Sequence, residues 1–286
     1  MHAHSPDADR TTATAPLRQR SDGRVRLRAG PASLGGATRI LDLSEAGPSR
    51  LRFPRGAGGL EAVLVNTAGG VACGDTFSIA LELEPAADLT LTTTAAEKIY
   101  RSDGPVSRIE NRLNLGAEAR LAWLPQETIL FDQARVSRRF EADLAPGASL
   151  LAVEIVAFGR VARGERITAG LFSDSWRVRR AGRLAYADTF TIAGPISDLL
   201  ARPAIGGGAC ACATLLDVSD GAEGRLEEAR ALLKAADPAG IEAAASAWNG
   251  HLVVRALARG VGPLRALMAH CLAGYRGLPM PRVWQC

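Results

Sequence analysis

The chain has 286 residues, 47% of them hydrophobic and 22% charged, which is enough apolar material for a sizeable core and argues against a disordered polypeptide. Thirty glycines and 15 prolines without a G-X-Y period exclude collagen and point to many short elements, and no apolar run reaches the roughly 18 to 20 residues that a membrane span needs. The net charge of +4 does not make a nucleic-acid binder: of 34 basic residues only Lys98 and Lys234 are lysines, and the arginines are scattered among acids rather than gathered in a patch.

Residues 1 to 22 lack an apolar h-region, so they read as a disordered tail without a secretory signal. The five cysteines, Cys73, Cys210, Cys212, Cys271 and Cys286, are odd in number and irregularly spaced, which suits a reducing cytoplasm better than a disulfide framework. From residue 23 to 217 the pattern is that of a β body. Phe77 to Glu84 alternates apolar and polar residues up to Pro85, as a half-buried strand does. Leu89 and Leu91 lead into the β-branched run Thr92-Thr93-Thr94, and Ile109, Leu113 and Leu115 alternate with Glu110, Arg112 and Asn114. Leu150 to Phe158 is apolar except for Glu154, which predicts a strand buried on both faces. Trp176 to Arg179, a turn at Gly182, and Leu184 to Ile192 continue the series, with no exact repeat to define a regular solenoid.

Residues 218 to 286 form a small α/β section packed on that body, within one structural domain. A strand over 209–218 leads into it. The apolar stripe Leu226, Ala229 and Leu233 predicts a helix over 222–236, ended by Asp237-Pro238. Asn249-Gly250 predicts a type I′ hairpin, because that turn needs positive φ at both central residues. A second helix is predicted over 263–275, and Gly277, Pro279 and Pro281 force an extended tail.

Candidate chemistry is sparse. Gly69 to Asp75 matches neither G-x-G-x-x-G nor the P-loop pattern and precedes a strand, so it reads as a tight turn in which Asp75 bonds its own backbone, with no nucleotide site. Cys210-Ala211-Cys212 is a lone pair and only four histidines exist, two of them in the tail, so neither a structural zinc nor a Ser-His-Asp triad can be assembled. No catalytic residue is assigned. The carboxylates are more informative. Glu154 interrupts an apolar strand, while Glu127 and Asp132 follow Trp123-Leu124-Pro125-Gln126; such groups must be paired with arginine or face water.

Several longer strings are similar to one family. Asn66-Thr67-Ala68-Gly69-Gly70, Gly74-Asp75, the run from Thr92 to Ser102, the run from Trp123 to Phe131, Phe158-Gly159-Arg160 with Gly164-Glu165, and Pro281-Arg282-Val283-Trp284 resemble the D-type urease accessory proteins (UreD, called UreH in some bacteria). Cys73 departs from the small or hydroxyl residue commoner there. The resemblance implies a mainly β fold, an irregular β-helix-like stack of short strands with two helices. It implies a non-catalytic chaperone that bridges apo-urease to the F-type accessory protein and its G-type GTPase partner and helps deliver nickel, with Ni²⁺ in transit and no tightly bound cofactor.

Because Ni²⁺ binds imidazole and thiolate tightly, a conduit should use weak, hydrated oxygen contacts. Glu154, Glu127 and Asp132 with the Thr92 and Thr93 hydroxyls are therefore the expected lining of a wet passage, without a fixed metal site. Arg282 and Trp284 are the expected docking residues, since arginine and tryptophan are enriched in interface hot spots, although Trp284 could equally cover the core. Two other classes stand beside this: a carbohydrate-active enzyme using paired carboxylates on a β-helical scaffold, poorly supplied at 5% aromatic, and a pure adaptor without ion contact.

Overall fold

The computed structural model describes residues 20–33, 36–55, 59–236 and 239–285. The predicted tail up to residue 19, the helix stop at Asp237-Pro238, and Cys286 lie outside them; the first strand already begins at Asp22. Two sheets face each other. The first contains β1 (Asp22–Pro31), β2 (Thr38–Ala46), β5 (Thr76–Leu83), β8 (Ser107–Leu115), β11 (Arg135–Leu144), β13 (Leu171–Arg180) and β14 (Arg183–Ala193), in the order β14-β13-β11-β8-β5-β1-β2. The second contains β3 (Ser49–Arg52), β4 (Leu60–Asn66), β6 (Asp88–Thr93), β9 (Arg120–Leu124), β12 (Ser149–Phe158), β15 (Ala211–Val218), β16 (Ile241–Trp248) and β17 (His251–Ala258), in the order β16-β17-β15-β12-β9-β6-β4-β3.

In its central part the chain crosses from one sheet to the other and back, so successive coils stack in parallel. Leu81 sits opposite Leu113 and Leu113 opposite Ala142 on one side, while Leu89 faces Leu121 and Leu121 faces Leu150 on the other. The short strands β7 (Glu97–Ile99) and β10 (Thr128–Leu130) prolong two of these coils, and β12 is long enough to pair with both β9 and β10. This is the β-helix-like stack that the resemblance implied. No repeat was visible because register is carried by inward alternation, with leucine recurring in the same phase while the outward residues vary.

Inward side chains of both sheets, among them Leu27, Leu81, Leu113, Phe140, Trp176, Trp123 and Ala152, make the main core. The outer face of the first sheet is polar. The outer face of the second is covered by α2 (Leu226–Ala235) and α3 (Val261–Arg276), which bury Val153, Ile155, Leu215 and Val254 from outside. That cover explains the run of apolar residues in β12. The predicted hairpin is present, with Asn249 at φ 51° and Gly250 at 78°. A six-residue helix, α1 (Ile196–Ala201), was not legible, because one turn and a half gives no apolar period to detect. Among the described residues no helix is long and apolar enough to cross a membrane.

Candidate functional site: a charged layer beside a cavity between the sheets

Where the sheets reach their last strands they part, and a cavity of about 620 Å³ opens between them. The first sheet supplies Phe172, Asp174 and Trp176 from β13 and Tyr186, Asp188 and Phe190 from β14. Glu154 and Phe158 of β12, Cys212 and Thr214 of β15, Glu242 of β16 and Arg255 of β17 complete it. The carboxylates are spread over the wall; among the described residues no three His, Cys, Asp or Glu side chains converge as a metal site.

Arg138 spans the two sheets, bonding two of the wall residues. It lies in β11 between the inward residues Val136 and Phe140, in register with Asp174. One terminal nitrogen donates to Glu154 Oε2 at 2.6 Å and Thr128 Oγ1 at 2.9 Å, and the other to Asp174 Oδ2 at 2.6 Å. Asp174 Oδ2 also accepts the Trp176 indole N–H at 3.0 Å. The side chains of Arg138, Glu154 and Asp174 are 7%, 15% and 12% exposed, so this is a buried ionic layer between apolar clusters. Burial pushes Glu154 up to about 7; Arg138 opposes that and Asp174 reinforces it. Burial likewise raises the Cys212 thiol to about 12, which leaves it a neutral wall residue.

Polar groups continue beyond Arg138. Thr128 stands opposite Glu97 across the β7–β10 pair, and the Glu97 carboxylate accepts from Asn66 Nδ2 at 3.2 and 3.3 Å. Burial raises Glu97 to about 7 as well. The strings around Asn66 and Glu97, far apart in sequence, thus meet in space. At Gly70, φ is 155° and a Cβ would approach the Tyr100 ring at 2.4 Å, so the turn needs glycine. Asp75 accepts from the Ala72 amide at 2.8 Å, as expected for a tight turn, and the Cys73 thiol donates to Asp103 at 2.7 Å.

The other expected passage residues lie elsewhere, and their placement corrects the idea of one shared lining. Thr92, Thr93, Glu127 and Trp284 form a clasp beneath α3. Trp284 is 4% exposed, and its indole N–H donates to Thr92 Oγ1 at 3.2 Å and the Leu124 carbonyl at 3.1 Å. Thr93 Oγ1 accepts from the Gln126 amide at 2.9 Å and donates to the Ala95 carbonyl at 3.1 Å. Arg265 donates to the Trp284 carbonyl at 3.0 Å and to Gln126 Oε1 at 3.1 Å, and pairs with Glu127 at 3.4 Å. Trp284 is therefore a core residue of the helix layer, while Arg282 beside it is exposed.

Asp132 is a loop anchor. Burial works against its charge, but the Thr168 and Ala169 amides and the Thr168 hydroxyl outweigh it and hold the carboxyl below its ordinary range. Beside it, Glu165 bonds Arg160 at 2.8 and 2.9 Å and is drawn down to about 2 by that pairing. Arg160 in turn covers the Phe131 ring at 4.2 Å. The strings Phe131-Asp132, Phe158-Gly159-Arg160 and Gly164-Glu165 are one structural unit.

Sequence reasoning missed Arg138, Asp174 and Glu97. The signal existed for the first two, since each is a charged residue in the inward phase of an alternating strand.

The comparisons agree with the strings. A family model described as "UreD urease accessory protein" matches residues 21–285. The protein named Urease accessory protein UreD 1 of Methylobacterium radiotolerans is 75% identical, over 99% of this chain and 98% of its own. Urease accessory protein UreD 2 of Methylorubrum populi is 62% identical over 94% and 92%, and Urease accessory protein UreD of Azorhizobium caulinodans is 51% identical over 95% and 99%. The chain belongs to the UreD family of urease accessory proteins, a chaperone of urease maturation and not an enzyme.

Proposed function

We propose that the chain bridges apo-urease to the F-type accessory protein and its G-type partner in the cytoplasm, and that nickel moves toward the urease active site through the cavity between the two sheets. One observation carries this: the cavity is walled by four carboxylates, Glu154, Asp174, Asp188 and Glu242, and by one guanidinium group, that of Arg255, while Arg138 bonds Glu154 and Asp174 without itself lining the space. Oxygen-rich walls in a space large enough for water let a hydrated cation approach without being captured. Asp188 is tied to Arg255 at 2.7 Å, and Glu154 and Asp174 share Arg138 at 2.6 Å each, which leaves Glu242 as the wall carboxylate outside these ion pairs. Glu127, Thr92 and Thr93 support the passage indirectly, by holding the helix layer on the second sheet. Arg282 is the exposed residue at the end of that clasp and the docking candidate there.

The test is co-expression with urease and the other accessory proteins. Glu154→Leu is expected to keep the accessory complex intact on pull-down and to lower nickel per urease active site. Normal nickel loading by this variant would sink the passage. A pure adaptor needs no interior carboxylate and would show that result.

A further inference from the structure

We infer that Arg138 is a resident counter-cation: it occupies the seat between Glu154 and Asp174 that a dication would otherwise take, and so keeps the passage from trapping its cargo. The inference rests on the passage proposed above. Its ground is the geometry of the charged layer. One guanidinium presents separate nitrogens to two carboxylates on facing sheets, each at 2.6 Å. Removing that positive charge would leave two buried carboxylates from opposite walls aimed at a common space, with the Thr128 hydroxyl beside them. A divalent ion is what such a pocket would then retain.

Two further observations separate this from an ordinary buried salt bridge. The Arg138 Nε is buried and has no hydrogen-bond partner, so the guanidinium, which lies over the Phe172 ring at 4.9 Å, is hydrogen-bonded through its two ends only. The layer is also not charge-neutral when both acids are ionised, because one arginine faces two of them. A passing cation can close that gap. An arginine that releases one partner at a time allows a cation to pass, then returns.

The experiment measures Ni²⁺ binding to the full chain, kept in complex with its accessory partner, by equilibrium dialysis. Arg138→Met is expected to bind Ni²⁺ at least about tenfold more tightly than the parent, since a full positive charge no longer competes for the seat, and Arg138→Lys is expected to restore weak binding. This gain and rescue establish the seat, and a part in transit further requires that Arg138→Met lower nickel per urease active site in the co-expression assay, which a merely structural arginine in a folded variant would not do. If Arg138→Met does not fold, Arg138→Gln keeps one donor to the layer, and the melting temperature of either variant should climb with Ni²⁺ where the parent's does not. Folded variants that bind no more tightly than the parent would overturn the inference, as would variants that Ni²⁺ cannot rescue. Glu154→Leu distinguishes this from failure of the passage. Tight binding by Arg138→Met with normal nickel delivery by Glu154→Leu means a real seat off the route. Blocked delivery without tighter binding means a passage in which Arg138 has no such part.

Discussion

Two constellations in this molecule are built from the same parts. At the cavity, Arg138 bonds two carboxylates and a threonine; under α3, Arg265 bonds a glutamine and a main-chain carbonyl and pairs with Glu127, beside Thr92 and Thr93. They differ in the face of the second sheet on which they lie. Glu154 projects into the space between the sheets, whereas Thr92 projects outward, where Trp284 covers it. An inner residue at the end of the stack meets a cavity, and an outer one meets the helix layer. Residue type alone does not decide between transit and anchoring; strand phase does.

The comparison can be broken by substitutions of decreasing expected effect. Arg138→Met without added metal should cost about 3–5 kcal/mol in urea denaturation, because it strands buried carboxylates. Trp284→Ala should cost about 3 kcal/mol by loss of a buried indole, and nickel loading should recover at a temperature where the variant is folded. A loading defect that persists in the folded variant would erase the distinction between the two sites.

Glu97→Gln tests the polar row beyond Arg138. The folded pKa of Glu97 is about 7 against an ordinary 4.5, so the folded state holds the proton more strongly than the unfolded one. Stability contributed by the neutral acid is present below about 4.5 and lost as pH rises through 7. The Gln variant should therefore match the parent at pH 5 and exceed it by about 1–2 kcal/mol at pH 8. A gap that closes with rising pH would contradict the burial assigned to Glu97. Replacing Arg166 and Asp198, an exposed pair at 2.6 Å, by alanine should move stability by less than about 0.5 kcal/mol.

Much of the fold could be read in advance. Alternation located β5 and β8, a β-branched run located β6, a nearly unbroken apolar run located β12, the NG turn located the β16–β17 hairpin, and apolar stripes located α2 and α3. What stayed hidden was pairing across the coils, since parallel neighbours lie a whole coil apart and no local rule links them. The site was half legible. Glu154 stood out because an acid in an apolar strand needs an explanation, but its partners depend on which strands face each other. Thr92 and Glu127 looked alike in composition and separated only when the sheet acquired an inside and an outside.

The most direct test plugs the space itself. Thr214, on the cavity wall, and Ser137, on the exposed outer face next to Arg138, can each be changed to tryptophan, and nickel per urease active site measured after co-expression with the full accessory set. Thr214→Trp is expected to reduce loading to the level found without the chain, with the complex still assembled, while Ser137→Trp loads normally. Full loading with Thr214→Trp in an intact complex would show that nickel takes another route.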